Sequence, residues 1–167
     1  MDSLQDCTRA YLEASGCRCR REEEGGSLYT FAARGEHGVY PVLVYARAPF
    51  LICIASFRQT VPDARRLEAA EYLHRINYGL LLGNFEMDYD EGEVRFRTSL
   101  MAEGSLTHEV LDRYIQMPAA MLDRYAPGLA AIVADGEIAG EALRRVQDAR
   151  SPLAAARRRA RSSRTRS

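Results

Sequence analysis

Between Phe85 and Thr98 the side chains alternate with a period of two. Phe85, Met87 and Tyr89 are set against Glu86, Asp88 and Asp90, then Val94, Phe96 and Thr98 against Glu93, Arg95 and Arg97. Such alternation makes one face of a strand apolar and the other charged. The two runs flank Glu91-Gly92, and glycine supplies the positive φ of a tight hairpin turn. They are therefore expected to pair antiparallel, with Met87 opposite Phe96, Tyr89 opposite Val94, Asp88 opposite Arg95 and Glu86 opposite Arg97. A one-residue slip would turn carboxylates toward the core, so the register is expected to be well specified. The exposed ion pairs contribute only about 0.2–1 kcal/mol each and select register more than they stabilise.

Upstream, Asp2 to Ser15 reads as an amphipathic helix with Leu4, Cys7, Tyr11 and Ala14 on one side, ended by Gly16. Four strand candidates follow: Cys17–Glu23, Ser27–Ala33, Val39–Tyr45 and Phe50–Phe57, the last two rich in β-branched and aromatic residues. Their short connections favour an antiparallel meander over crossovers. Thr60 is the expected N-cap of a second helix, with Pro62 and Asp63 in its first turn and Leu67, Ala70, Leu73 and Ile76 on one stripe. A third helix opens at Leu106-Thr107, is expected to kink or break at Pro118, and bends at Pro127-Gly128 before Leu129–Ala134. Residues 137–148 predict a short fourth helix.

Charge divides the chain. All 23 basic residues are arginine, and seven of them fall in residues 149–167, which hold no acid. Residues 1–148 then carry 16 arginines against 23 acids. The reading is one domain over 1–148 and a disordered Arg-rich tail over 149–167, because the tail buries too little apolar surface to offset its ordering entropy. No apolar run approaches the roughly 20 residues of a membrane span, and no signal-peptide layout is present, so a cytoplasmic protein without membrane contact is expected.

Chemistry-bearing motifs are not found. A calcium loop begun at Asp88 puts Gly92 one residue early, and one begun at Glu86 puts Arg97 where the bidentate acid belongs. Cys7, Cys17, Cys19 and Cys53 and the three histidines lack zinc-ligand spacing, and Cys53 sits in the apolar run 50–55 as a small core side chain. No nucleophile elbow, dinucleotide fingerprint, phosphate-binding loop or zinc-protease helix is seen. Neither metal nor cofactor is expected, and the chain reads as no enzyme.

The runs INYGLLLGNFEMDYDEGEVRFRTSL and LDRYIQMPAAMLDRYAPGLAAIV together resemble the YbjN-like family, described in terms of bacterial sensory transduction. The resemblance covers roughly residues 67–133 and is most specific at Asn77-Tyr78-Gly79, Gly83-Asn84-Phe85 and Met121-Leu122-Asp123-Arg124-Tyr125. That family is similar in fold to the type III secretion chaperones, small α+β proteins that dimerise and bind polypeptides. The resemblance implies an α+β fold, an antiparallel sheet with N-terminal, central and C-terminal helices packed on it, and no catalytic residue.

The function expected is thus a homodimeric, chaperone-like adaptor or regulator that binds another bacterial protein or peptide segment. Tyr40, Val42 and Val44 alternate with Leu43 and Tyr45, and Leu51 to Ile54 are apolar throughout. A sheet apolar on both faces is covered by helices or by another subunit. Tyr40, Val42, Val44 and Tyr78 are the candidate contact residues, with capping or core packing as the competing role around Asn77, Tyr78 and Asn84. The alternative is weak nucleic-acid association, in which Arg157, Arg158, Arg159, Arg161, Arg164 and Arg166 meet phosphates non-specifically. The tail has no aromatics to stack bases, so that alternative carries no sequence preference.

Overall fold

The structure, a computed structural model, describes residues 3–17, 20–23 and 27–149, with the backbone alone for 20–23. The expected tail, from residue 150 onward, lies outside the described residues. The elements run α1 (Leu4–Ala14), β1 (Arg20–Glu23), β2 (Ser27–Arg34), β3 (Val39–Arg47), β4 (Phe50–Ser56), α2 (Asp63–Asn77), β5 (Asn84–Met87), β6 (Val94–Met101), α3 (His108–Asp135) and α4 (Ala139–Ala149). The strands form one six-stranded sheet in the order β1-β2-β3-β4-β6-β5, antiparallel at every pairing. The fold is α+β. α3 lies across β3, β4 and β6, and α1, α2 and α4 each pack on α3. The helices therefore make one layer and the sheet the other, with the core between them.

α1 begins in a capping box: Ser3 Oγ accepts from the Asp6 N–H (3.1 Å) and Asp6 Oδ2 from the Ser3 N–H (3.3 Å). It buries Leu4, Thr8, Tyr11 and Leu12, so the buried stripe is rotated from the one expected and Ala14 is exposed. The Tyr11 hydroxyl ties α1 to α3, donating to Asp112 (2.7 Å) and accepting from Gln116 (3.1 Å).

α2 starts later than expected, with Pro62 and not Thr60 at the N-cap. The cause is Val61, which is buried and whose N–H donates to the Gly92 carbonyl (2.8 Å). That anchor holds the chain extended past exposed Thr60. Leu67, expected on the core stripe, points outward at 75% exposure, while Ala69, Tyr72, Leu73 and Ile76 are buried.

The β5–β6 register differs by two residues from the expectation: Phe85 faces Phe96, Glu86 faces Arg95 and Met87 faces Val94. Parity survives, since a shift of two keeps every side chain on its face. The physical reason is a larger turn. Asp88 Oδ1 accepts from the N–H groups of Asp90 (2.9 Å) and Glu91 (3.0 Å), and the Gly92 N–H donates to the Asp88 carbonyl (2.8 Å). This side-chain turn closes the hairpin at Asp88 and Glu93 and leaves Tyr89 exposed. Gly92 has φ +74°, and a Cβ there would collide with the Val61 backbone.

α3 is one helix of 28 residues, running unbroken through Pro118 and Pro127. A proline in a helix interior leaves the carbonyl four residues back without its N–H partner, at a cost of about 3 kcal/mol. For Pro118 that carbonyl belongs to Tyr114, and the buried Thr98 hydroxyl of β6 donates to it at 2.8 Å. The sheet thus replaces the missing donor, and the expected break does not occur. Farther along, Gly128 lets the Tyr72 ring lie against α3, where the Tyr72 hydroxyl donates to the Tyr125 carbonyl (3.0 Å).

Candidate functional site

The two faces of the sheet have different fates. Tyr40, Val42 and Val44 point toward the helices and are buried at 2%, 2% and 0% exposure. As candidate contact residues they are taken up by the core and offer no surface. The surface lies one position away. Leu28, Leu43, Tyr45, Ile52 and Ile54 point to the opposite face, are half-buried by one another, and belong to none of the packing around the helices. Register sets them in two rows: Leu28, Tyr45 and Ile52 in one, Leu43 and Ile54 in the next, with Arg97 beyond Ile54. Phe50 (46% exposed) and Met101 (69%) face each other at the end of the patch. Among the described residues, no helix covers this face.

Polar groups bound the patch along β5 and β6. Glu86 accepts from Arg95 Nε at 2.8 Å and stands 3.4 Å from Arg97 Nη1. Burial alone would raise the Glu86 pKa, but Arg95, Asn84 and Arg97 together outweigh it and hold the carboxylate below its ordinary range. The carboxylate is thus an ion-pair partner and not a proton donor.

At the margin of the sheet, Asn77 acts as a surrogate strand. Its Oδ1 accepts from the Phe85 N–H (2.8 Å) and its Nδ2 donates to the Phe85 carbonyl (3.0 Å). The outer edge of β5 is satisfied there, so a partner strand cannot add at Phe85. Tyr78, the next residue, is 94% exposed. It stands eleven residues, three helical turns, beyond exposed Leu67, and fully exposed Leu81 follows in the loop. Leu67 and Tyr78 share the outer side of α2 with exposed Glu71 and His74 between them, so the three are separate exposed apolar points.

Titratable groups do converge elsewhere, beside the β2–β3 turn. Asp123 of α3 accepts from the N–H groups of Glu36 (2.9 Å) and His37 (2.7 Å) and from the Tyr40 hydroxyl (3.0 Å). A groove of about 380 Å³ runs next to it between Tyr40, Phe57, Arg58 and Ala130. Burial would raise the Asp123 pKa, but these three donors together lower it. Burial, assisted by Asp123, pushes the Tyr40 phenol up. An anion holding three donors and a phenol that keeps its proton form a clasp between α3 and the turn, not an acid–base pair. Among the described residues no cluster of three or more His, Cys, Asp or Glu is placed to hold a metal ion, and no helix is long and apolar enough to cross a membrane. The arginines from 157 onward lie outside the described residues.

A family model described as "Putative bacterial sensory transduction regulator", YbjN, matches residues 9–131. The chain belongs to the YbjN family. The match takes in all six strands and α2, and leaves α4 and the Arg-rich C-terminal segment outside. It extends the resemblance read from residues 67–133 through the N-terminal half. Of solved structures, YbjN from E. coli, described as "a putative transcription regulator", is similar at TM-score 0.51 and 16% identity, over 69% of this chain and 82% of that one. At that identity the likeness is one of fold. The ExsC-ExsE complex is similar at TM-score 0.46 and 15% identity, over 74% of this chain and 96% of that one. No curated protein matches the chain.

Which face of the sheet would stay open was recoverable from the hairpin. Val94 and Phe96 must point inward because Arg95 and Arg97 cannot, and cross-strand pairing carries that parity to Ile54 on β4 and Leu43 on β3.

Proposed function

We propose that the chain is a non-catalytic, homodimeric protein-binding module, a chaperone-like adaptor or regulator in the bacterial cytosol that holds a polypeptide partner on its open sheet face. The observation that carries this reading is the set Leu28, Leu43, Tyr45, Ile52 and Ile54 on a face without helices. From strand spacing and rise, the patch with Phe50 and Met101 spans on the order of 300–400 Å². Exposed apolar patches of that size on single chains are often functional. The second copy is assigned to the outer side of α2, where Leu67, Tyr78 and Leu81 are exposed, which leaves the sheet face free for the partner.

Two measurements test this. Light scattering at micromolar protein should return a dimer mass, and Leu67→Glu with Tyr78→Ser a monomer; a wild-type monomer removes the dimer. A photo-crosslinking amino acid at position 45 should attach to a cellular polypeptide, and one at exposed position 67 should attach only to a second copy. No polypeptide adduct at position 45 removes the binding role. Non-specific phosphate contact through the C-terminal arginines is the competing proposal. It is supported by seven arginines without an acid in residues 149–167 and is tested by truncation after Ala149, which should abolish any low-salt binding of single-stranded DNA.

A further inference from the structure

The open face is apolar at its centre and charged at its rim. Its outward positions carry Arg34, Arg47, Arg95 and Arg97 against Glu86, Asp88 and Glu93. The three carboxylates are engaged: Glu86 by Arg95 (2.8 Å), Asp88 by the N–H groups of Asp90 (2.9 Å) and Glu91 (3.0 Å), and Glu93 by the Ser56 hydroxyl (3.0 Å).

Arg97 is the group left over. It lies in the middle of β6, between Ile54 of β4 and Asn84 of β5. Its side chain makes no hydrogen bond among the described residues; its ion-pair contact is Nη1 to Glu86 at 3.4 Å, and its Nε is buried without an acceptor. A buried N–H without an acceptor is costly to leave so. The side chain as a whole is 39% exposed, open to a group arriving on the face. Guanidinium presents a planar fork of donors that fits a carboxylate, and a charge-assisted bond of this kind is about twice as strong as a neutral one. Apolar side chains flanking such a carboxylate would rest on Ile54, Leu43 and Ile52.

We propose that the segment held on the open face is apolar and carries an aspartate or glutamate, and that Arg97 reads this carboxylate. The inference rests on the open face being the partner surface. Apolar contact supplies the area, and the guanidinium supplies choice, since a partner without an acid leaves it with only the 3.4 Å contact to Glu86.

A displayed library of random dodecapeptides, selected against the full chain, Arg97→Gln and Ile54→Asp, tests both levels. Each variant is first shown to unfold cooperatively; Tyr45→Ser replaces Ile54→Asp if the latter does not fold. Wild type should enrich Asp or Glu beside bulky apolar residues. Arg97→Gln should keep the apolar enrichment, lose the acidic one, and bind the best wild-type peptide about tenfold more weakly by fluorescence anisotropy. Ile54→Asp should enrich nothing. Acids no commoner than in the unselected library, or equally enriched on Arg97→Gln, overturn the carboxylate inference and leave the binding face standing. No enriched clone on wild type, or enrichment that survives Ile54→Asp, overturns the binding face itself. Single-stranded DNA binding that persists after truncation at Ala149 and is lost in Arg97→Gln assigns the guanidinium to phosphate and overturns the inference.

Discussion

Replacing Thr98 by valine tests whether the sheet sustains the long helix. Thr98 is 1% exposed, and its hydroxyl is 2.8 Å from the Tyr114 carbonyl that Pro118 leaves without a partner. Valine keeps the shape and removes the donor, so a buried carbonyl stays unsatisfied at a cost of about 1–3 kcal/mol. For a chain of this size each kcal/mol lowers Tm by about 2–4 °C. Urea unfolding followed by circular dichroism should show a lower midpoint with an unchanged slope. The decisive measurement is the double-mutant cycle. In Pro118→Ala, position 118 gains an N–H that reaches the Tyr114 carbonyl as an ordinary helical bond, and Thr98→Val should then cost at least about 1 kcal/mol less than it does beside proline. Costs that add within about 0.5 kcal/mol would refute the compensation.

Three further outcomes are expected. Gly92→Ala should destabilise well beyond the roughly 1–2 kcal/mol of a left-handed residue, because its Cβ meets the Val61 backbone, whereas Gly16→Ala, with φ +65° and open space, should cost only that amount; equal losses in chemical denaturation contradict the steric argument. Burial pushes the Cys53 thiol up to about 12, so at pH 8 peptide mapping after alkylation should find half-buried Cys7 modified and Cys53 protected until the chain unfolds; matching rates in the native protein refute this. The carboxyl of Asp123 is lowered from 3.8 in the folded state, so its contribution is present above about pH 4 and is lost as pH falls through the folded value. Thermal melts of Asp123→Asn and wild type should therefore differ at pH 7 and converge toward pH 2; a constant gap refutes the assignment.

Much of this fold is legible in the chain. The meander of strands, the start of α3 near Thr107 and the parity of the β5–β6 hairpin follow from alternation, turn residues and capping chemistry. What local reading misses has one common cause, a distant partner overriding a local rule. Proline breaks helices, yet Thr98, sixteen residues upstream of Tyr114, restores the partner that Pro118 removes. Threonine caps helices, yet Val61 is pinned to Gly92 and Thr60 is left outside the helix. The hairpin turn widens because the Asp88 side chain builds a turn of its own. Along β3 the residues that face the helices cannot be told from those on the open face, because Val42 and Leu43 are equally apolar. Hydrophobicity could not choose between them, and only the register carried over from β6 does.

Asn77 and Phe85 also limit how these molecules can accumulate. A filament that grows by lateral addition needs two receptive borders on every unit, so that each arrival leaves a fresh one behind. Here the Asn77 amide occupies the outer border at Phe85, so an arriving strand must first displace it, and growth from that border would begin by breaking two bonds already made.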